Sequence, residues 1–157
     1  MNKKYIIILI LCLILTLGGC TRINSKQKNM YTNDKQIAEE GDSYSYLNRI
    51  GKEEKVNKIN LQFSKFYGSD TLWNIESNDN QKLELNFNCA ITVGKFKAVL
   101  VTPTKEVLVI FEGSDEGTKI IDINEGKYIL KIVGQGGAGI VQIDIKENSN
   151  LKLKKVE

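Results

Sequence analysis

Between Leu83 and Val93 the side chains alternate. Leu83, Leu85, Phe87, Cys89, Ile91 and Val93 share one parity, and Lys82, Glu84, Asn86, Asn88 and Thr92 share the other. On a helix this pattern would scatter the apolar groups around the axis, whereas on a strand it gathers them on one face. The segment is therefore a strand with one dry and one wet side. Such a strand needs antiparallel neighbours and a second layer to cover its dry side.

The same period returns in Ile59, Leu61 and Phe63, in Phe96, Ala98 and Leu100, in Val141, Ile143 and Ile145, and in Leu151 and Leu153. The lysines between the last two discourage edge-to-edge pairing. Val107 to Phe111 is apolar on both parities, the pattern of a central or doubly covered strand. Turn residues punctuate these runs at Gly68-Ser69-Asp70, Asn78-Asp79-Asn80, Pro103-Thr104-Lys105, 112–117 and 124–127. A spacing of roughly 8–12 residues between turns predicts an antiparallel sandwich or barrel. The expected fold is all-β: a jelly-roll-like antiparallel β-sandwich of roughly eight or nine strands over residues 58–157, with no substantial helix.

The N-terminus follows other rules. Lys3 and Lys4 precede an almost purely apolar run from Tyr5 to Leu17. A bilayer-spanning helix needs about 20 apolar residues, so the run fits a signal h-region better. It ends in Leu17-Gly18-Gly19-Cys20, which resembles the lipobox of bacterial lipoprotein precursors. The resemblance implies a signal peptide over 1–19, cleavage between Gly19 and Cys20, and a diacylglyceryl group on the Cys20 sulfur. The chain would then be held by membrane lipid at the extracytoplasmic face of the cell membrane. Two acyl chains anchor a protein stably where one does not. Residues 20–57 are rich in Asn, Lys, Gln, Ser and Glu and show no sustained period, apart from a short helix that Asn33 could cap. They read as a flexible tether reaching on the order of 30–35 Å. Tyr31, Tyr44 and Tyr46 either dock on the domain or a partner, or stay idle.

A second resemblance supports the fold. Ala98-Val99-Leu100-Val101-Thr102-Pro103 and Ile121-Asp122-Ile123-Asn124-Glu125-Gly126-Lys127-Tyr128-Ile129-Leu130-Lys131-Ile132 look like core strands of bacterial pre-peptidase C-terminal domains. These are small jelly-roll modules appended to secreted enzymes.

Charge and cysteines narrow the functional classes. Loss of Lys3 and Lys4 with the leader lowers the net charge from +3 to +1, which gives no basis for nucleic-acid binding. Cys12 leaves with the leader and Cys20 is consumed by lipid. Cys89 then remains alone, without a disulfide partner, in an apolar strand slot where a thiol acts as a small hydrophobe. Histidine is absent, which removes His-based catalysis and the usual zinc or copper sites. Glu84 and Asp122 occupy outward strand positions and read as solvated acids. Glu112, Asp115, Glu116 and Asp70 could supply oxygen ligands to calcium but lack an Asp-x-Asp ladder. Gly134-Gln135-Gly136-Gly137-Ala138-Gly139 spells G-x-G-x-x-G, yet a strand follows it where a phosphate loop requires a helix. No catalytic residue, metal or cofactor is expected.

Phe66, Tyr67 and Trp73 form the remaining candidate, an aromatic group that either stacks on a sugar or partner or plugs the core. The expected function is a lipid-anchored, non-catalytic binding module for an envelope protein. The alternative is a carbohydrate- or cell-wall-binding module.

Overall fold

A computed structural model describes residues 23–156; the leader, Gly19 and Cys20 lie outside them. Two short helices, α1 (Ser25–Asn29) and α2 (Asp34–Ile37), flank a 3-10 turn at Met30–Thr32. Eight strands follow: β1 (Ser43–Ser45), β2 (Asn48–Lys55), β3 (Lys58–Ser77), β4 (Gln81–Val101), β5 (Val107–Glu112), β6 (Asp115–Ile123), β7 (Gly126–Ile145) and β8 (Leu151–Lys155). All pairings are antiparallel.

The eight strands form one hydrogen-bonded sheet that folds over into a sandwich. β3, β7 and β4 lie side by side, are 20, 20 and 21 residues long, and run through both layers. In the first layer β2 pairs with 58–64 of β3, 139–144 of β7 lies next, and β4 follows with β6 on its outer edge. In the second layer β1 and β8 edge β3, and β5 edges 97–101 of β4. The two layers share one core. Phe63 stacks on Phe96 at 4.8 Å and Phe87 on Phe111 at 4.5 Å, each pair joining one layer to the other.

Three adjacent strands can turn a corner together only if their backbones tolerate close approach. The register shifts between Phe63 and Phe66 on β3 and between Ile91 and Val93 on β4. At the same level lie Gly94 and Gly136, both with positive φ, and Lys65 at φ 47°. A Cβ on Gly94 would overlap the Gly136 carbonyl, one on Gly139 the Ala90 carbonyl, and one on Gly134 the Phe66 ring. The string 134–139 is thus the inside of the bend in β7, with strand on both sides of it.

Two expectations require correction. Asn24 to Lys55, read as part of a tether, folds onto the sandwich. Met30, Tyr31, Ile37 and Ala38 are buried against Val99, Val101 and Val133, on the outer face of the second layer. Burial of these few side chains offsets the ordering entropy of a segment whose polar composition suggested disorder. Val107–Phe111 is an edge strand paired with β4, and its Leu108 and Val109 are exposed. The doubly covered strand is 98–101 of β4: Ala98 and Leu100 face the core, while Val99 and Val101 face the helical segment.

A buried lysine holds that segment in place. Lys131 is fully buried on β7, donates to the Glu39 carbonyl at 2.6 Å and sits 3.4 Å from Asp42 Oδ1. Asp42 in turn accepts from the Thr71 amide at 3.1 Å and the Thr71 hydroxyl at 2.8 Å. Burial draws the Lys131 ammonium below the ordinary lysine range, partly opposed by Asp42. Lys131→Met should lower stability by about 1–3 kcal/mol, since it removes the donor shared by the Glu39 and Gly41 carbonyls and the Asp42 carboxylate. It should also speed proteolysis within 24–42 more than elsewhere, read by urea titration and timed digestion.

Paired glycine substitutions test the bend. Gly113 has φ 74° with open space around its Cβ position, and Gly94 has φ 73° with backbone against it. Gly113→Ala should cost about 1 kcal/mol, the strain of a left-handed residue. Gly94→Ala should cost about 3 kcal/mol or more, because the overlap adds to that strain. Equal losses in urea denaturation would remove close packing as the reason for the glycine.

Candidate binding face

The aromatic candidates separate. Phe66 and Trp73 are both 0% exposed, so neither ring can stack on a ligand, which corrects the expectation that placed them in a contact site. The Trp73 indole N–H donates to the Val56 carbonyl at 2.7 Å, satisfying its polar handle inside the fold. Tyr67 is half-buried, with its hydroxyl beside Gly136 at the bend.

A polar group missed in the sequence closes one open side of the sandwich. Tyr46 stacks on Phe66 at 4.5 Å, and its hydroxyl donates to Asp70 Oδ2 at 2.6 Å. Arg49 reaches the same oxygen at 3.4 Å and lies over the Tyr46 ring, with Tyr44 edge-on at 5.4 Å. Burial lifts the Asp70 carboxyl above the ordinary carboxylate range, although the Tyr46 hydrogen bond and the Arg49 charge pull the other way. Burial and then Asp70 push the Tyr46 phenol far up, so it stays a donor. These groups are matched to one another. Tyr44, Tyr46 and Arg49 come from the stretch read as a tether and Asp70 from the body, and nothing in their spacing marks them as a set.

The other calcium candidates lie elsewhere. Asp115 and Glu116 start β6 opposite Cys89 and Asn88, and Glu112 accepts from the Tyr31 hydroxyl at 2.7 Å. Among the described residues no group of three or more acids, cysteines or histidines is arranged to hold a metal ion. Cys89 is buried, and desolvation followed by the Asp115 charge pushes its thiol up to about 12, far from a nucleophilic thiolate at neutral pH. Glu84 and Asp122 are tied to Lys146 at 3.0 Å and Lys82 at 2.9 Å.

The outer face of the first layer carries no helix, and amide side chains stand at its centre among charged residues and the exposed Ile50, Ile120 and Ile140. Asn60, Gln142 and Asn88 stand directly opposite one another on β3, β7 and β4. The neighbouring row is Lys58, Asp144, Asn86 and Thr118, joined by Lys58–Asp144 at 3.7 Å and the Thr118 hydroxyl to Asn86 Oδ1 at 2.6 Å. A third row holds Gln62, Ile140 and Ala90. Strand spacing sets these rows at about 4.8 Å per step, and a shallow depression between β4 and β7 lies over the first two. Planar amides offer donors and acceptors together, so the face can exchange hydrogen bonds with a polar, uncharged surface. Its members were visible in the sequence as the wet parity of three strands.

No protein-family model matches the chain, and no curated protein matches it. Among solved structures, the C-terminal carbohydrate-binding module (CBM6) of LamC, a marine laminarinase from Zobellia galactanivorans, aligns at 12% identity and TM-score 0.35. The match covers 66% of this chain and 99% of that one. The enzymatically active domain of tailspike protein 4 of bacteriophage CBA120 aligns at 8% identity and TM-score 0.39, over 85% of this chain and 21% of that one. What the coordinates define is an all-β sandwich with one helix-covered and one open face.

Because Asp70 binds its proton more tightly folded than unfolded, its contribution is full below the unfolded carboxylate pKa and is lost as pH rises through the raised folded value. Asp70→Asn should therefore flatten that part of the stability–pH curve, measured as urea midpoints from acid to neutral pH. An unchanged slope would assign the dependence to another group.

Proposed function

We propose that the chain is an extracytoplasmic lipoprotein, held by acyl chains on Cys20, that presents a non-catalytic β-sandwich as a binding module at the envelope. The observation that carries this reading is the leader itself: Lys3 and Lys4, a short apolar run, and Leu17-Gly18-Gly19-Cys20. The open amide face supports the binding part, because it is the sheet face that the helical segment leaves free.

In the native host, wild type should fractionate with membranes and exceed the mass of the chain beginning at Cys20 by its lipid, whereas Cys20→Ala should do neither. Retention of 1–19 in both would make the leader an ordinary anchor and end the lipoprotein reading.

A second reading, a glycan as the bound partner, is favoured by the Asn60, Gln142 and Asn88 row, whose amides match sugar hydroxyls. With Trp73 inside the core, such binding would rest on hydrogen bonds and not on a tryptophan platform. Loss of two hydrogen bonds at about 1 kcal/mol each predicts that Asn88→Ala with Gln142→Ala weakens retention on purified cell-wall polysaccharide by about thirtyfold. Wild type that passes through unretained would leave a protein partner as the remaining reading.

A further inference from the structure

The folded part begins close to the anchor. Asn24 caps α1, accepts the Lys28 amide at 3.2 Å and so lies one helical turn from it. Four peptide steps separate Cys20 from Asn24, a span of at most about 14 Å even when fully extended. A domain on so short a link stays within about 14 Å of the surface that holds Cys20, with the part next to Asn24 nearest to it.

That part is basic. The Gln135 side chain on β7 donates to the Lys28 carbonyl at 3.0 Å, and Gln135 lies opposite Tyr67 and Lys95 in the bend. The stretches that meet there, 23–32, 60–69, 90–101 and 129–140, contain Lys26, Lys28, Lys65, Lys95, Lys97 and Lys131, and the acids that reach them are Glu39 on Lys26, Glu112 opposite Lys97 and Asp42 beside Lys131. Lys26 is taken by Glu39 at 2.7 Å, Lys97 is buried over the Tyr31 ring opposite Glu112, with Lys95 over the same ring at 5.8 Å, and Lys131 is buried. Lys28, Lys65 and Lys95 are exposed, and none has an ion pair among the described residues. Val93, 63% exposed, lies two residues from Lys95 in the same bend.

We propose that this bend, with Lys28, Lys65 and Lys95, rests on the anionic lipid headgroups of the membrane in which Cys20 is anchored. The proposal builds on the lipoprotein reading above. Each lysine at an anionic surface favours contact by roughly fivefold, so three together favour the docked arrangement by on the order of a hundredfold.

The test uses the full chain, lipidated in a bacterial host and reconstituted into phosphatidylglycerol or phosphatidylcholine vesicles, with lysine acetylation followed residue by residue by mass spectrometry. On phosphatidylglycerol, Lys28, Lys65 and Lys95 should label at least about tenfold more slowly than on phosphatidylcholine, while Lys82 and Lys119 at the far end of the first layer keep their rates. The variant K28E/K65E/K95E should still float with the vesicles, and the neighbouring Lys26 should then label equally on both lipids. Protein that floats with all lysines labelled alike on both lipids overturns the docking and leaves the anchor intact. Protection of Lys26 that persists in the triple variant also overturns it. A chain that does not float and retains 1–19 overturns the anchor reading, and the docking with it.

Discussion

Three neighbouring strands cross from one layer of this sandwich to the other at the same level, and the rest of the architecture depends on that crossing. A sheet that continues round a corner brings backbone against backbone on its concave side, where a side chain has no room. Gly94 against Gly136 and Gly139 against Ala90 meet that condition between β4 and β7, while Gly134 makes room for the Phe66 ring of β3. Because the strands are not cut at the corner, β3, β7 and β4 tie both layers into one hydrogen-bonded sheet. The core aromatics then stack from layer to layer across a gap that the bend has fixed.

The sheet gives the molecule two unlike faces. Over the second layer lie the turns around Met30 and Ile37, locked by the buried ammonium of Lys131. Over the first lies solvent, against a field of amides with ion pairs at its margin. On the proposed function, a lipid anchor at the start of the helical segment and an uncovered polar face elsewhere would divide attachment from recognition.

Period-2 patterning made the fold class readable, since a strand half in water declares itself residue by residue, as Leu83 to Val93 does. Three features escaped it for separate physical reasons. The second covered face, that of Val99 and Val101, went unread because its cover comes from four apolar side chains in a polar segment too short for a periodic signal. The glycines of 134–139 spelled a phosphate-loop string without its helix, and only the fold shows that they sit in a strand packed against others of the same sheet. Trp73, Tyr46 and Asp70 depend on contacts distant in sequence, which no local spacing encodes. The amide face was present all along as the wet parity, yet only the register of β3, β7 and β4 aligns Asn60, Gln142 and Asn88.

The clasp of the helical segment also sets an order of events. Lys131 bonds to a carbonyl 92 residues earlier, Gln135 to one 107 residues earlier, and Tyr31 to an acid 81 residues later. The first part of the chain to be made is therefore among the last to find its place, because β7 must already lie between β3 and β4. Contacts this far apart close loops at high entropic cost and slow the search. Until then Met30, Tyr31, Ile37 and the outer valines of β4 remain wet, and a chain halted before residue 131 keeps them so.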